Sequence, residues 1–173
     1  MELFNQSGYD GTTAAEIAAR AGVTERTFFR YFLDKREVLF DGQDTLKAAL
    51  VATIAETPHE LGPLDTLFWA FRSVLPMLEI NRPYSEPRQH VIAATSALQE
   101  REMAKHGALS DALAVALQAR GTSDLSAVLA ARVGMAAFVH ATAAWLNHAE
   151  PSLGERLDVV LRELKTLIVE TGQ

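Results

Sequence analysis

The sequence predicts an all-α protein of about nine helices, on three observations. No stretch alternates apolar and polar residues with the period of two that marks a half-buried strand. Apolar residues recur instead at helical spacing, as in Leu46, Leu50 and Ile54. All six prolines, at 58, 63, 76, 83, 87 and 151, fall in the later chain and punctuate it into helix-length segments. These signals divide the 173 residues into a small head at 1–40 and a larger helical body at 41–173.

Taken in order, Glu2 to Gln6 reads as the end of a first helix, with Leu3 and Phe4 facing inward and Gly8 closing it. Tyr9 and Asp10 lead into a turn at Gly11. Thr13 and Glu16 stand in the S/T-x-x-E relation of a capping box, so a second helix starts there. Ile17, Ala18 and Ala21 form its apolar face, and Gly22 can take the left-handed conformation that ends a helix. Val23 follows as an expected buried plug, and Thr24 is a good N-cap for a third helix. Phe28 and Phe32 lie one turn apart on the inner face of that helix.

At ~100° per residue, the opposite face carries Arg26, Thr27 and Arg30, with Phe29 and Tyr31 on the flanks. Arginine can grip guanine O6 and N7 with two parallel hydrogen bonds, threonine can read base edges, and Lys35 can pair with phosphate. The arrangement is a helix-turn-helix whose recognition helix starts at Thr24. The run GYDGTTAAEIAARAGVTERTFFRYFLDKREVL resembles the DNA-binding signature of the TetR family of bacterial one-component transcription regulators. That resemblance implies double-stranded DNA with a palindromic operator as a partner. Thr13, Thr24, Arg26, Thr27, Phe29, Arg30, Tyr31 and Lys35 are the expected contact residues. The family's first helix is longer than the one visible here. The expectation is that the natural protein starts upstream of Met1 or binds its operator weakly.

Net charge is −6, which by itself argues against nucleic acid, but the distribution matters more. Between Thr24 and Arg36, four cations (Arg26, Arg30, Lys35, Arg36) oppose two acids (Glu25, Asp34), a net of +2, so the other residues carry −8. A basic reading head on an acidic body keeps the non-specific term weak and leaves base contacts decisive.

After the helix-turn-helix, Asp34 and Glu37 look like a cap pair opening a fourth helix with Gly42 inside it. Further helices are expected at about Leu64 to Ile80, Arg88 to His106, Leu109 to Arg120, Asp124 to His148 and Ser152 to Thr171. The Asp124 segment is rich in small residues, and the last helix carries Leu157, Val160, Leu161, Leu164, Leu167 and Ile168 on one broad stripe. The pair suggests a four-helix interface with a second copy, and the resemblance implies a homodimer. Phe68, Trp69, Phe71 and Met77, with Met103, Met135, Phe138 and Trp145 on later helices, could line a pocket between the Leu64 and Asp124 helices. At helical spacing such residues are more often ordinary core. The resemblance implies a small-molecule effector there, hydrophobic or acyl-coenzyme-A-like.

No H-E-x-x-H, G-x-S-x-G or glycine-rich phosphate loop occurs, and there is no cysteine. His140, inside an apolar helix, reads as a core or pocket histidine. No enzyme activity, metal or cofactor is expected. No secretion signal opens the chain, and no apolar run approaches the ~20 residues of a membrane span, so a cytoplasmic location without membrane association is expected. The reading that follows is a ligand-responsive regulator, expected to act as a repressor. The alternative is a small-molecule-binding or interaction protein of the same fold that has lost operator binding.

Overall fold

A computed structural model describes residues 1–170, with side chains as far as Leu167; Thr171, placed in the last helix above, and the Ile168 side chain lie outside the described residues. Among the described residues there are nine α-helices and no strand.

Helix α1 (Glu2–Ser7) ends at Gly8, whose φ of 70° needs glycine. The turn that follows is held by Thr12, buried despite its hydroxyl, which donates to Gly8 O at 2.8 Å and Leu3 O at 3.2 Å. Helix α2 (Ala14–Arg20) opens on the full capping box: Thr13 Oγ1 accepts from the Glu16 N–H at 3.2 Å, and Glu16 Oε2 accepts from the Thr13 N–H at 2.7 Å. It closes with the Gly22 N–H bonded to Ala19 O and the Val23 N–H to Ala18 O, the two reverse bonds of a Schellman motif. Helix α3 (Glu25–Tyr31) starts on Thr24, whose hydroxyl accepts from the Thr27 N–H. Phe28 is buried, with the Phe29 and Phe32 rings each 5.3 Å from its own. Val23 is no plug: it is 41% exposed, because the chain reversal that uses its N–H leaves its side chain at the surface.

The fourth helix does not begin at Asp34. The Asp34 carboxylate accepts from the Arg36 N–H at 2.7 Å and from the Arg36 guanidinium, forming a local turn. A short 3-10 turn (Glu37–Phe40) follows, and α4 (Gln43–Glu56) starts after Gly42, which sits at φ 86° as its N-cap and not inside it. Helix α5 (Pro63–Ser73) carries its proline at the first position, where the missing N–H costs nothing. Helix α6 (Leu75–Ala93) then runs without interruption through Pro83 and Pro87, both expected as breaks. Each removes one intrahelical bond, at ~3 kcal/mol for the substitution as a whole. Side-chain ties to the rest of the fold offset this: Arg82 Nη2 to Leu146 O, Tyr84 OH to Val38 O at 3.1 Å, and Gln89 to Asn147 at 3.0 Å. Helix α7 (Ser96–Ala119) likewise passes through the break expected near Gly107. Helices α8 (Asp124–Asn147) and α9 (Leu153–Glu170) lie close to where the spacing puts them.

The main core is formed by Leu50 and Ile54 of α4, Leu67, Phe68 and Phe71 of α5, Leu113 and Leu117 of α7, Phe138 and Trp145 of α8, and Leu153 and Leu157 of α9. At Gly134 of α8 the α5 helix comes close: a methyl group there would meet Leu67 Cδ1 at 2.9 Å. A second, smaller core joins the head to the body. Phe4 of α1 and Leu39 and Phe40 of the 3-10 turn pack with Val91, Ile92 and Leu98 of α6 and α7. The head is therefore seated on the end of α6.

Candidate nucleic-acid interface and effector cavity

On α3 the outward residues Arg26, Phe29, Arg30 and Tyr31 are exposed, and Thr27 is half-buried with its hydroxyl 2.9 Å from that of Thr24. Arg30 donates to Tyr31 OH at 3.0 Å and lies over its ring. Arg26 and Arg30 have no carboxylate partner among the described residues, whereas Arg20 pairs with Glu2 and Arg36 with Asp34. Thr13 is exposed at the start of α2, with its hydroxyl engaged by Glu16 at 2.8 Å. The two unpaired guanidiniums thus stand on one helical face, free to meet an anionic surface.

Lys35 occupies a different setting. Its ammonium donates to Tyr9 O at 2.7 Å and Thr12 O at 2.8 Å and sits over the Tyr9 ring, tying the end of α3 to the α1–α2 turn. Only one of its three N–H groups is left for a phosphate. Lys35→Met is expected to cost the head about 1–3 kcal/mol by leaving those carbonyls without a charged donor. Thermal unfolding followed at the head amides checks this; unchanged stability would leave only a phosphate role.

A cavity of about 1080 Å³ opens between the start of α4, α6, α7 and α8. Of the eight residues expected to line a pocket, Met77, Met135 and Phe138 do. Phe68 and Phe71 are wholly buried in the main core, where Phe71 stacks on Phe138 at 4.4 Å. Trp145 is buried beneath the Arg82 guanidinium, and Trp69 and Met103 point to solvent at 52% and 65% exposure. The cavity therefore lies between α6 and α8, not between α5 and α8, whose close approach at Gly134 leaves no room.

Sequence reasoning missed the polar half of this wall: Asn81, Tyr84 and Arg88 on α6, and Glu102, Lys105 and His106 on α7. The i, i+3, i+4 spacing of the last three was the available signal, but the expected Arg88 to His106 helix ran through the break between α6 and α7, so Arg88 and Glu102 were not seen as facing each other. Among the described residues, all the charged side chains of the wall but Asp41 are ion-paired, Arg88 with Glu102 at 3.0 Å, Lys105 with Glu37 just outside the wall at 3.6 Å and Lys47 with Asp44 at 2.9 Å. Burial pushes the His106 pKa down, against the pull of Glu102, so its imidazole is neutral at neutral pH. His140 is exposed, neither core nor cavity. No cluster of three metal-ligating side chains occurs among the described residues.

The same wall grips the junction between head and body. Arg101 forks onto Glu37 at 2.8 and 3.0 Å, and this hydrogen bonding holds the Glu37 carboxyl below its usual range. Tyr84 and Arg88 donate to the Val38 and Leu39 carbonyls. From its start to its midpoint α8 exposes a stripe through Leu125, Leu129, Arg132, Val133 and Ala136, and Val159 of α9 is exposed as well. Contrary to the expectation from the sequence, α8 is long and apolar enough by length and composition to cross a membrane. Its apolar residues divide between the core face and this stripe.

Comparison with known proteins places these features together. Residues 1–41 match the family model of bacterial regulatory proteins of the tetR family, and residues 61–168 match the MftR C-terminal domain. A curated relative, the HTH-type transcriptional regulator TcmR of Streptomyces glaucescens, is 39% identical over 75 residues. That match covers 43% of this chain and 33% of TcmR, so the chain spans about a third of that relative. Among solved structures, Thermus thermophilus FadR, described as a TetR-family transcriptional repressor in complex with lauroyl-CoA, superimposes with a TM-score of 0.60 at 27% identity, over 94% of this chain and 87% of FadR. PfmR, a TetR-family transcriptional regulator of Thermus thermophilus, shares the fold at a TM-score of 0.50 and 20% identity, over 93% of each chain. With a capped recognition helix in front and a helical body matched over more than half the chain behind it, the protein belongs to the TetR family of bacterial regulatory proteins.

Proposed function

We propose that the protein is a homodimeric transcriptional repressor that leaves a palindromic operator when a small, largely apolar molecule occupies the α6–α8 cavity. One observation carries the reading: part of the cavity wall is the segment from Val38 to Lys47, which continues directly from the reading head. A ligand releases DNA only by binding one arrangement of the head better than another. Here ligand and head contact the same residues. The apolar part of the wall, Met77, Leu78, Met135, Phe138 and Leu146, suits an aliphatic or aromatic tail. The lauroyl-CoA bound to FadR makes an acyl chain the first candidate.

The two heads of a dimer paired through the α8 stripe would meet successive major grooves about 34–36 Å apart. Arg26 and Arg30, free of carboxylates, are the base-reading candidates, with Thr27 and Tyr31 beside them. Binding to the DNA flanking the protein's own gene, measured against salt, tests the reading. Arg26→Ala is expected to cost ~1–3 kcal/mol on the cognate site and to relax preference at one base pair, seen by anisotropy on a panel of single substitutions. Full affinity of the variant across the panel would remove Arg26 from the reading face.

A further inference from the structure

Arg88 stands where cavity and head meet, and its bonding is divided between them. Its Nε donates to Leu39 O and its guanidinium lies 5.0 Å from the centre of the Phe40 ring, both in the turn that follows the head. Its Nη1 donates to Glu102 Oε1 at 3.0 Å. Its Nη2 has no partner among the described residues, although the side chain forms part of the cavity wall. A guanidinium with one edge committed to a backbone carbonyl and another donor open is a two-way element. A good acceptor offered from the cavity competes with the carbonyl for the same planar fork.

The surrounding charges decide which acceptor fits. Beside Arg88 stand Glu102 and Lys105, and each of the three has an opposite charge already within reach. A site so balanced has no surplus positive charge for a polyanion, but a single carboxylate can fork onto Nε and the open Nη2 of Arg88 in place of the neutral Leu39 carbonyl, with Glu102 kept on Nη1. Below this polar end the wall turns apolar at Met77, Met135 and Phe138.

Taking the α6–α8 cavity as the effector site, the geometry points to Arg88 as the effector-reading residue: it recognises a single-carboxylate amphiphile and, in doing so, lets go of the Leu39 carbonyl and frees the head. The carboxylate then lies against the guanidinium and the tail against the methionines. A neutral molecule of the same length fills the tail region and leaves the Arg88–Leu39 bond in place. Occupancy and release are thus separable by headgroup alone.

The test compares dodecanoate with 1-dodecanol on the full-length protein, with affinity from calorimetry and amide exchange of Val38 to Gly42 from mass spectrometry. Dodecanoate is expected to bind about tenfold tighter or more and to raise exchange in that segment, while bound dodecanol leaves it protected. Arg88→Gln is expected to bring the affinity ratio near one and to raise exchange before any ligand is added. The wild-type comparison stands on its own if that variant folds poorly. Equal affinities, or equal exchange with both compounds bound, overturn the role of Arg88 while leaving the cavity as effector site. Binding of neither compound overturns the cavity reading and this inference with it.

Discussion

Leu129→Glu is expected to turn the protein into a monomer and to lower its affinity for a two-half-site operator by about 10²–10⁴-fold, the range lost when two linked binding events become one. Leu129 is 55% exposed in the single chain, so a carboxylate there disturbs no core contact. Its neighbours along the helix, Leu125 at 71% and Val133 at 38% exposure, make a stripe interrupted by polar side chains only at Ser126 and Arg132. Leaving that stripe in water is unfavourable at roughly 25 cal/mol per Å², and a second copy related by a two-fold axis covers it with itself. Burying one glutamate from each copy near the axis would set two like charges together out of water, which the interface cannot offset. Ala137 is the wrong place for such a test, since it is buried within the single chain and a charge there would damage the core instead. Sedimentation velocity, with circular dichroism to show an intact fold, decides the matter. A variant that remains dimeric removes the α8 stripe from the interface.

What could be read from the sequence was what depends on near neighbours. Thr13 with Glu16, Gly22 with the end of α2, and Thr24 with Thr27 are partners within a few residues, so their chemistry is visible in the letters. Pro83 and Pro87 were misleading for the opposite reason. The groups that hold α6 straight through them are the Leu146 and Val38 carbonyls, 64 and 46 residues away from Arg82 and Tyr84. Lys35 looked free to meet phosphate because its partners are backbone oxygens of Tyr9 and Thr12, which leave no mark in a sequence. The pocket residues divide on the same principle. Helical spacing tells that Phe68 and Phe138 face inward, but not that one meets packed side chains and the other also borders a void. The polar wall around Arg88 became visible only once α6 and α7 were seen to part at Ala94 and Thr95, which sets Glu102 against Arg88.

Gly11→Ala, a single methyl on an exposed turn, is expected to destabilise the head by about 3 kcal/mol, the upper part of the range for forced overpacking. Exposure alone would predict a change within about 0.5 kcal/mol. The geometry decides otherwise: a Cβ on Gly11 would stand well inside van der Waals contact with the Ser7 carbonyl oxygen and 3.3 Å from its carbon. Those are backbone atoms at the end of α1, with no rotamer to swing away. Relief requires opening the turn, which strains the Thr12 N–H bond to Tyr9 O and the Thr12 hydroxyl bonds to Leu3 and Gly8. It also draws Tyr9 and Thr12 away from Lys35. The head has only Phe4, Ala18 and Phe28 as fully buried apolar side chains of its own helices, so it has little to set against the loss. Unfolding should stay local, because the body keeps its separate core. Amide exchange in α1, α2 and α3 should therefore accelerate by about a hundredfold, the factor that corresponds to ~3 kcal/mol, while α8 stays protected. Operator binding should fall in parallel. Gly62→Ala is the control, at another exposed position before a helix where a methyl meets nothing within 4 Å, and it should leave both measurements unchanged. If the two variants behave alike, the close approach at Gly11 is relieved by a small shift of α1 and does not govern the fold of the head.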